Sequence, residues 1–372
     1  MKITTLDNLW LEFRSAGRLL PWLGPALRGV LLRRLKDEAC RQPEAQQGTV
    51  WKYCRGCPFM GDCAYGDLFE PDHLDWATNK LEPELVKLLN GRHEPPRPVI
   101  LVPAYPATDE AEPGMTLPIS LRFLSHKAAA HVDWVLDRLD QVGREGWLGK
   151  DDIRFRVDFR EARESAVELT SEMLPTTIDT KSGVIPRLGI GLIAPLFLEA
   201  SKKSVPASST RRRSSRRDAA SEPHLVVPTF EELFRASLDA VRAHLTAAGE
   251  PPPRLDLRTW GRAARGVVLL DHCFEEFTQP HTQSRHGDEA VDSLDRTGRR
   301  GRQSRGGQPD GLRRTASKDA AWGHREFHGT FGGGVYANVP WSFLPWLSWA
   351  GLLHVGEERV SGAGGWRVLL NP

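Results

Sequence analysis

The chain has 372 residues, 40% hydrophobic and 26% charged, with a formal net charge of only +2. That length holds two domains of ordinary size and a core that needs no staples, while the near balance of charge excludes a global cationic field, so a polyanionic partner must be met by local patches. No apolar run reaches the length of a membrane helix, no signal-peptide core opens the chain, and the early clustering of cysteines is unlike a secreted disulfide framework, so no membrane partner and a cytoplasmic location are expected.

Residues 3–14 alternate as a strand does. Beyond Pro21 and Gly24, Leu27, Val30, Leu31 and Leu35 recur at helical spacing over 25–40, leaving Arg28, Arg33, Arg34 and Lys36 on the remaining face. Residues 41–72 are irregular and cysteine-rich, and 95–113 are proline-rich and extended. A strand at 117–124, an amphipathic helix at 128–142 ending at Gly143, and a strand at 153–159 follow. Residues 1–165 thus read as β-α-β-β-α-β with an insertion at about 40–72, the ferredoxin-like pattern.

The pattern then starts again across 185–372. Its elements are a strand at 188–198, a helix at 229–247, a short buried strand at 266–270 and a glycine-tolerant strand at 327–336. An apolar helix at 341–353 and a last strand at 366–370 complete it. Thr229 and Glu232 have the spacing of a capping box. Two segments break the unit. Residues 201–222 include Lys202, Lys203, Arg211, Arg212, Arg213, Arg216 and Arg217 among serines, and 281–320 are rich in Arg, Gly, Ser and Gln. Neither buries enough apolar surface to offset the entropy of ordering it. They are solvated loops, or cationic arms for nucleic-acid phosphates.

Three groups of residues could carry chemistry. Cys40, Cys54, Cys57 and Cys63 include a CxxC knuckle, with Gly56 and Gly61 at the turns. Four thiolates suit a structural zinc ion, an iron–sulfur cluster is the other ligand they fit, and free thiols are the plain alternative. Four protein ligands leave no open position for a metal-bound water, so no hydrolytic role follows. Gly356, Gly362, Gly364 and Gly365, with Arg359 and Arg367 nearby, form a glycine-rich turn before the last strand, a backbone type that cradles phosphate. The histidines are scattered. His126 and His131 lie five apart, His272 beside Cys273 reads as strand-end core, and no pair has the spacing of a metal site or a nucleophile–base couple. Trp341, Phe343, Trp346 and Trp349 have the spacing of a helix face turned to the core.

The residues at the two ends of the chain are similar to one family. Leu353-His354-Val355-Gly356, then Gly362-Ala363-Gly364 and a final strand, resemble the C-terminal signature of the CRISPR precursor-RNA-processing endoribonucleases of the RAMP superfamily. Leu20 to Leu31 resemble their opening strand-turn-helix, and Cys54-Arg55-Gly56-Cys57-Pro58 with the block from Cys63 to Pro71 resembles the cysteine insertion of one branch. The resemblance implies an α+β protein of two tandem ferredoxin-like (RRM-like) domains, the first with the cysteine insertion. It implies a metal-independent endoribonuclease that binds CRISPR repeat RNA between the domains and cuts precursor transcripts into guides by attack of the 2′-hydroxyl. Arg28, Lys52 and His73 are then the catalytic candidates. Arg33, Arg34, Gly356, Arg359, Gly362, Gly364, Gly365 and Arg367 are the RNA-binding ones. Two departures support a second expectation, a catalytically inactive repeat-RNA-binding subunit among other subunits of a CRISPR effector complex. Glu357 and Glu358 follow Gly356 where the family often has lysine, and the first histidine of the chain is His73.

Overall fold

The computed structural model describes residues 1–40, 59, 63–69, 96–106, 108–149, 151–179, 181, 183–198, 227–280, 326–356 and 362–372. Most of the cysteine insertion and the two basic segments at 201–222 and 281–320 lie outside them.

The first unit runs β1 (Lys2–Phe13), β2 (Gly17–Arg18), α1 (Gly24–Ala39), α2 (Ala64–Phe69), β3 (Val99–Pro103), β4 (Glu110–Ala111), β5 (Thr116–Phe123), α3 (His126–Ala129), α4 (Val132–Glu145), β6 (Phe155–Asp158) and β7 (Arg163–Glu168). Its sheet has the order β3-β5-β1-β6, and all pairings are antiparallel. The long β1 pairs through Trp10–Phe13 with β6 and through Lys2–Asp7 with β7. Its register shifts between Leu6 and Leu9, where Asn8 sits at φ 60°, a conformation Asn tolerates and bulges use. Leu9, Leu11 and Phe13 are fully buried and share a core with Leu27, Leu31 and Leu35 of α1 and Val135, Leu139 and Val142 of α4. Each such side chain contributes about 1.5–3 kcal/mol on burial. Pro25 opens α1 where its missing N–H is no loss. The expected end of α4 at Gly143 is corrected: the helix runs on to Glu145 and stops at Gly146, in the left-handed conformation that terminates helices.

The second unit runs β8 (Val184–Leu192), α5 (Phe230–Ala247), α6 (Leu257–Arg265), β9 (Val268–His272), β10 (Glu275–Pro280), β11 (Glu326–Phe331), β12 (Gly333–Pro340), α7 (Leu344–Leu353) and β13 (Trp366–Leu370). Its sheet order is β13-β8-β12-β9. Numbered by place in the βαββαβ pattern, both sheets have the order 4-1-3-2. The chain is therefore an α+β protein of two tandem ferredoxin-like units. The capping box forms as read: Thr229 accepts from the Glu232 amide, and the Glu232 carboxylate accepts from the Thr229 amide. Phe343 and Trp346 are fully buried, with Phe343 against Phe234 and Trp260, whereas Trp341 is 40% exposed and only two of the four aromatics are deep core.

Three local readings change. Residues 95–113 contain β3, whose five residues are all buried. The strand expected at 327–336 is two strands: Gly332, at φ 104°, turns the chain so that β11 leaves the main sheet and pairs with β10 instead. The strand expected to be buried at 266–270 is the sheet edge β9, with Val268 55% and Leu270 53% exposed, and His272 is exposed rather than core. An edge strand with one neighbour has no partner to cover its outer side. One core cluster spans both units: Ile3, Ile100, Val102 and Leu124 of the first pack with Leu188, Ile190, Trp346 and Leu353 of the second.

Candidate nucleic-acid interface

The glycine-rich turn follows α7 and is built around His354. That residue is fully buried at φ 60° and ψ 144°, a backbone conformation normally left to glycine. Its ring lies against Gly365, and Nδ1 is 2.8 Å from the carbonyl of Ala363, so Nδ1 carries the proton and donates. Burial, aided by the charge of Arg122 and opposed by the bond to Ala363, holds its pKa well below the ordinary imidazole value. His354 is thus a neutral structural donor. Gly362 and Gly364 take φ of 87° and 71°. A side chain on Gly362 would strike the carbonyl of Leu101 in β3, and one on Gly364 the carbonyl of Val355. All three glycines of the 362–365 turn are buried, and the Gly364 amide donates to the Pro195 carbonyl at 2.8 Å. The turn is the place where the second unit meets the backbone of the first.

Arg122 of β5 crosses the same boundary. Its Nη1 donates to the carbonyls of Gly351 and Leu352, at 3.0 and 2.6 Å, where the last turn of α7 leaves acceptors without helical partners. Burial pulls this guanidinium down to about 10, which leaves it charged at neutral pH. Beside it opens a cavity of about 840 Å³ between the units. Arg122, Arg163 and Arg367 line it, with Asp7 as the opposing charge and Tyr105 and Phe331 as an aromatic wall. Three guanidiniums against one carboxylate make this a cationic hollow in a nearly neutral protein. Arg367 is the one sequence-named residue in it. Arg122 and Arg163 were missed, although an arginine inside the apolar run Leu121-Arg122-Phe123 is a signal that could have been used.

The cationic face of α1 is placed differently from expectation. Arg34 pairs with Glu145 at 3.7 Å, the Arg33 guanidinium lies over the ring of Trp147, and Glu38 pairs with Arg138. Arg33 and Arg34 therefore meet α4 and the segment after it, Lys36 lies over the ring of Tyr65 in α2, and none of the three lines the interdomain cavity. Arg28 is half-buried in the second turn of the helix. The start of α1 does approach the glycine-rich turn. Trp22 shares a buried cluster with Ala363, Phe197 and Phe277. Its amide donates to Oε1 of Gln279 at 2.8 Å, and Nε2 of Gln279 donates back to its carbonyl at 3.1 Å. Lys52, His73 and Arg359 lie outside the described residues, as do Cys54 and Cys57. Cys63 donates to the carbonyl of Ala39 at 3.8 Å, which brings it next to Cys40, and both thiols are half-buried and unbridged. No described helix is long and apolar enough to cross a membrane.

Two ferredoxin-like sheets joined by a buried glycine turn beside a cationic hollow define the molecule. A family model, AF_1859_N, described as an N-terminal domain, matches residues 2–177. No curated protein matches the chain. Among solved structures it is similar to a Cas6 product complex, with 13% identity and a TM-score of 0.46 over 98% of this chain and 99% of that one. It is similar to Thermus thermophilus Cas6, with 14% identity and a TM-score of 0.42 over 98% and 99%. A third is a Cas6-related gene product from Pyrococcus furiosus, with 10% identity and a TM-score of 0.38 over 100% of both chains. The fold assignment itself rests on the two strand orders.

Proposed function

We propose that this protein binds CRISPR repeat RNA across the boundary of its two ferredoxin-like units and cuts precursor transcripts there without a metal ion. The observation that carries the reading is the cluster of Arg122, Arg163 and Arg367 around one interdomain cavity, next to a glycine-rich turn that resembles an RNA-processing signature. RNA supplies its own nucleophile. The protein has to align the 2′-oxygen, take its proton, stabilise the phosphorane and protonate the leaving 5′-oxygen. Arg28, in the second turn of α1, is assigned charge stabilisation, since arginine cannot act as a base at neutral pH. Lys52 or His73 is assigned proton transfer. The cysteine set Cys40, Cys54, Cys57 and Cys63 is assigned a structural zinc ion, a reading that the approach of Cys63 to the end of α1 supports.

A second reading, a catalytically silent repeat-binding subunit of a larger CRISPR complex, has two observations in its favour. Glu357-Glu358 follow Gly356 in sequence where the resembled family often has a lysine, and the histidine before the turn, His354, is buried away from solvent. Incubation of the protein with its cognate repeat RNA in EDTA separates the readings. Cleavage at one phosphodiester, leaving a 2′,3′-cyclic phosphate and a 5′-hydroxyl, supports the nuclease. Tight binding without cleavage supports the subunit, and no binding removes both.

A further inference from the structure

Two residues that line the interdomain cavity, Arg122 and Tyr105, each carry a buried polar atom that no described residue satisfies. Arg122 is only 9% exposed, and while its Nη1 is spent on α7, its Nε is buried with no acceptor among the described residues. The hydroxyl of Tyr105, which lines the same cavity, is likewise buried without a partner among them. Buried polar atoms without partners are rare, because leaving one unsatisfied costs roughly 1–3 kcal/mol, and they call for an unseen ligand or a functional account. An anionic oxygen answers the first and a polar base edge the second. The exposed arginines Arg163 and Arg367 stand on the same cavity and add charge for an anion, while Asp7 sets the limit at a net of two positive charges. Tyr105 and Phe331 lie with ring centroids 4.4 Å apart and offer an apolar aromatic wall, the kind of surface on which bases stack. The volume of about 840 Å³ lies in the range of small-molecule sites.

We propose that this cavity is a nucleotide subsite: it takes one nucleotide of a single strand, with the phosphate on Arg122, Arg163 and Arg367 and the base against Tyr105 and Phe331. The proposal rests on the RNA-binding reading above and gives it a location. It assigns to the cavity a reading task, one base held apart from its neighbours, distinct from backbone contact along the rest of the strand.

The test walks a single abasic position along the repeat RNA and measures affinity for the wild type, Tyr105→Phe and Arg163→Ala. Arg122 is left intact because it holds the end of α7. One abasic position should weaken wild-type binding by about tenfold, the usual scale of one lost base stack. Arg163→Ala should weaken intact RNA severalfold. Tyr105→Phe should weaken intact RNA but have no effect on the RNA that is abasic at the sensitive position. If the wild type binds repeat RNA while the abasic scan is flat, or the Tyr105→Phe loss persists at the abasic position, the subsite is overturned and RNA binding stands. If the wild type binds no repeat RNA, the functional reading fails, and titration with AMP, GMP, CMP and UMP decides the subsite. Binding of one of these that Arg163→Ala abolishes keeps a nucleotide site for a free ligand; binding of none overturns it.

Discussion

His354 is held in a conformation that its side chain must justify. The ring donates to Ala363, packs on Gly365, and faces the charge of Arg122 from β5 and the imidazole of His244 from α5. Its folded pKa lies below the value of about 6.5 that it has when unfolded, so the folded state prefers the neutral ring. Stability from this group is complete above about pH 6.5 and is lost as the pH falls below that value, because the unfolded chain then takes a proton that the folded one refuses. The urea midpoint of the wild type should fall between pH 7.5 and pH 5.5, and His354→Asn, which keeps a donor without a titrating group, should fall less; equal falls would remove His354 as the cause. At the neighbouring Gly364 even one methyl group meets the Val355 carbonyl. Gly364→Ala is expected to cost about 1–3 kcal/mol, the range of overpacking, measurable as a shift in denaturation midpoint. The positive φ of these glycines was legible in their clustering. That they serve packing between the units was not, because nothing in the turn names Leu101 or Pro195, which lie far away in sequence.

At the scale of elements, the sequence spoke where periodicity is strong. α1 and α5 fall within a residue of their expected spans, because apolar residues recur on one face and Thr229-x-x-Glu232 marks a start. Thr229→Ala should lower stability by about 1 kcal/mol with little change in RNA affinity, checked by chemical denaturation beside a binding isotherm. β7 gave no signal, since all six of its residues are exposed and a strand without a buried face has no alternation to read. β10 was missed for a related reason: its sequence Glu-Glu-Phe-Thr-Gln-Pro carries one large apolar residue, Phe277, and it is a strand because β11 pairs with it. The cationic stripe of α1 was legible, but the partners of Arg33, Arg34 and Lys36 were not. Spacing tells which residues share a face, and only the packing of α1 on α4 tells where that face points. The cationic cavity escaped because its arginines come from three strands, β5, β7 and β13, that no local pattern connects.

For the whole molecule, affinity for a polyanion should come in two parts. The cavity arginines are fixed by the fold, whereas the segment from Ser204 to Arg217 supplies five arginines of its own. Its deletion should leave sequence preference intact and flatten the slope of log affinity against log salt, by roughly 0.7 for each phosphate of a single strand that the arm neutralises. An unchanged slope would remove that segment from the interface. Arg28→Ala, assayed in single turnover with saturating enzyme, should slow cleavage by about two to three orders of magnitude if its guanidinium meets the phosphorane. Cleavage at the wild-type rate would place the chemistry elsewhere.

The reciprocal pair between Trp22 and Gln279 joins residues 257 apart, and Gly362 closes on Leu101 across a comparable distance. On the ribosome, the amide and carbonyl of Trp22 and the carbonyl of Leu101 emerge long before the residues that cover them. During that interval the first unit presents an indole and part of the backbone of β3 to the cell. Its last seams close only when the turn at 362–365 and the strand after it leave the tunnel. A transcript that stops between Gln279 and Gly362 would therefore yield a protein with both sheets begun and the seam on Leu101 open, marked for chaperone capture by the surface that the turn normally hides.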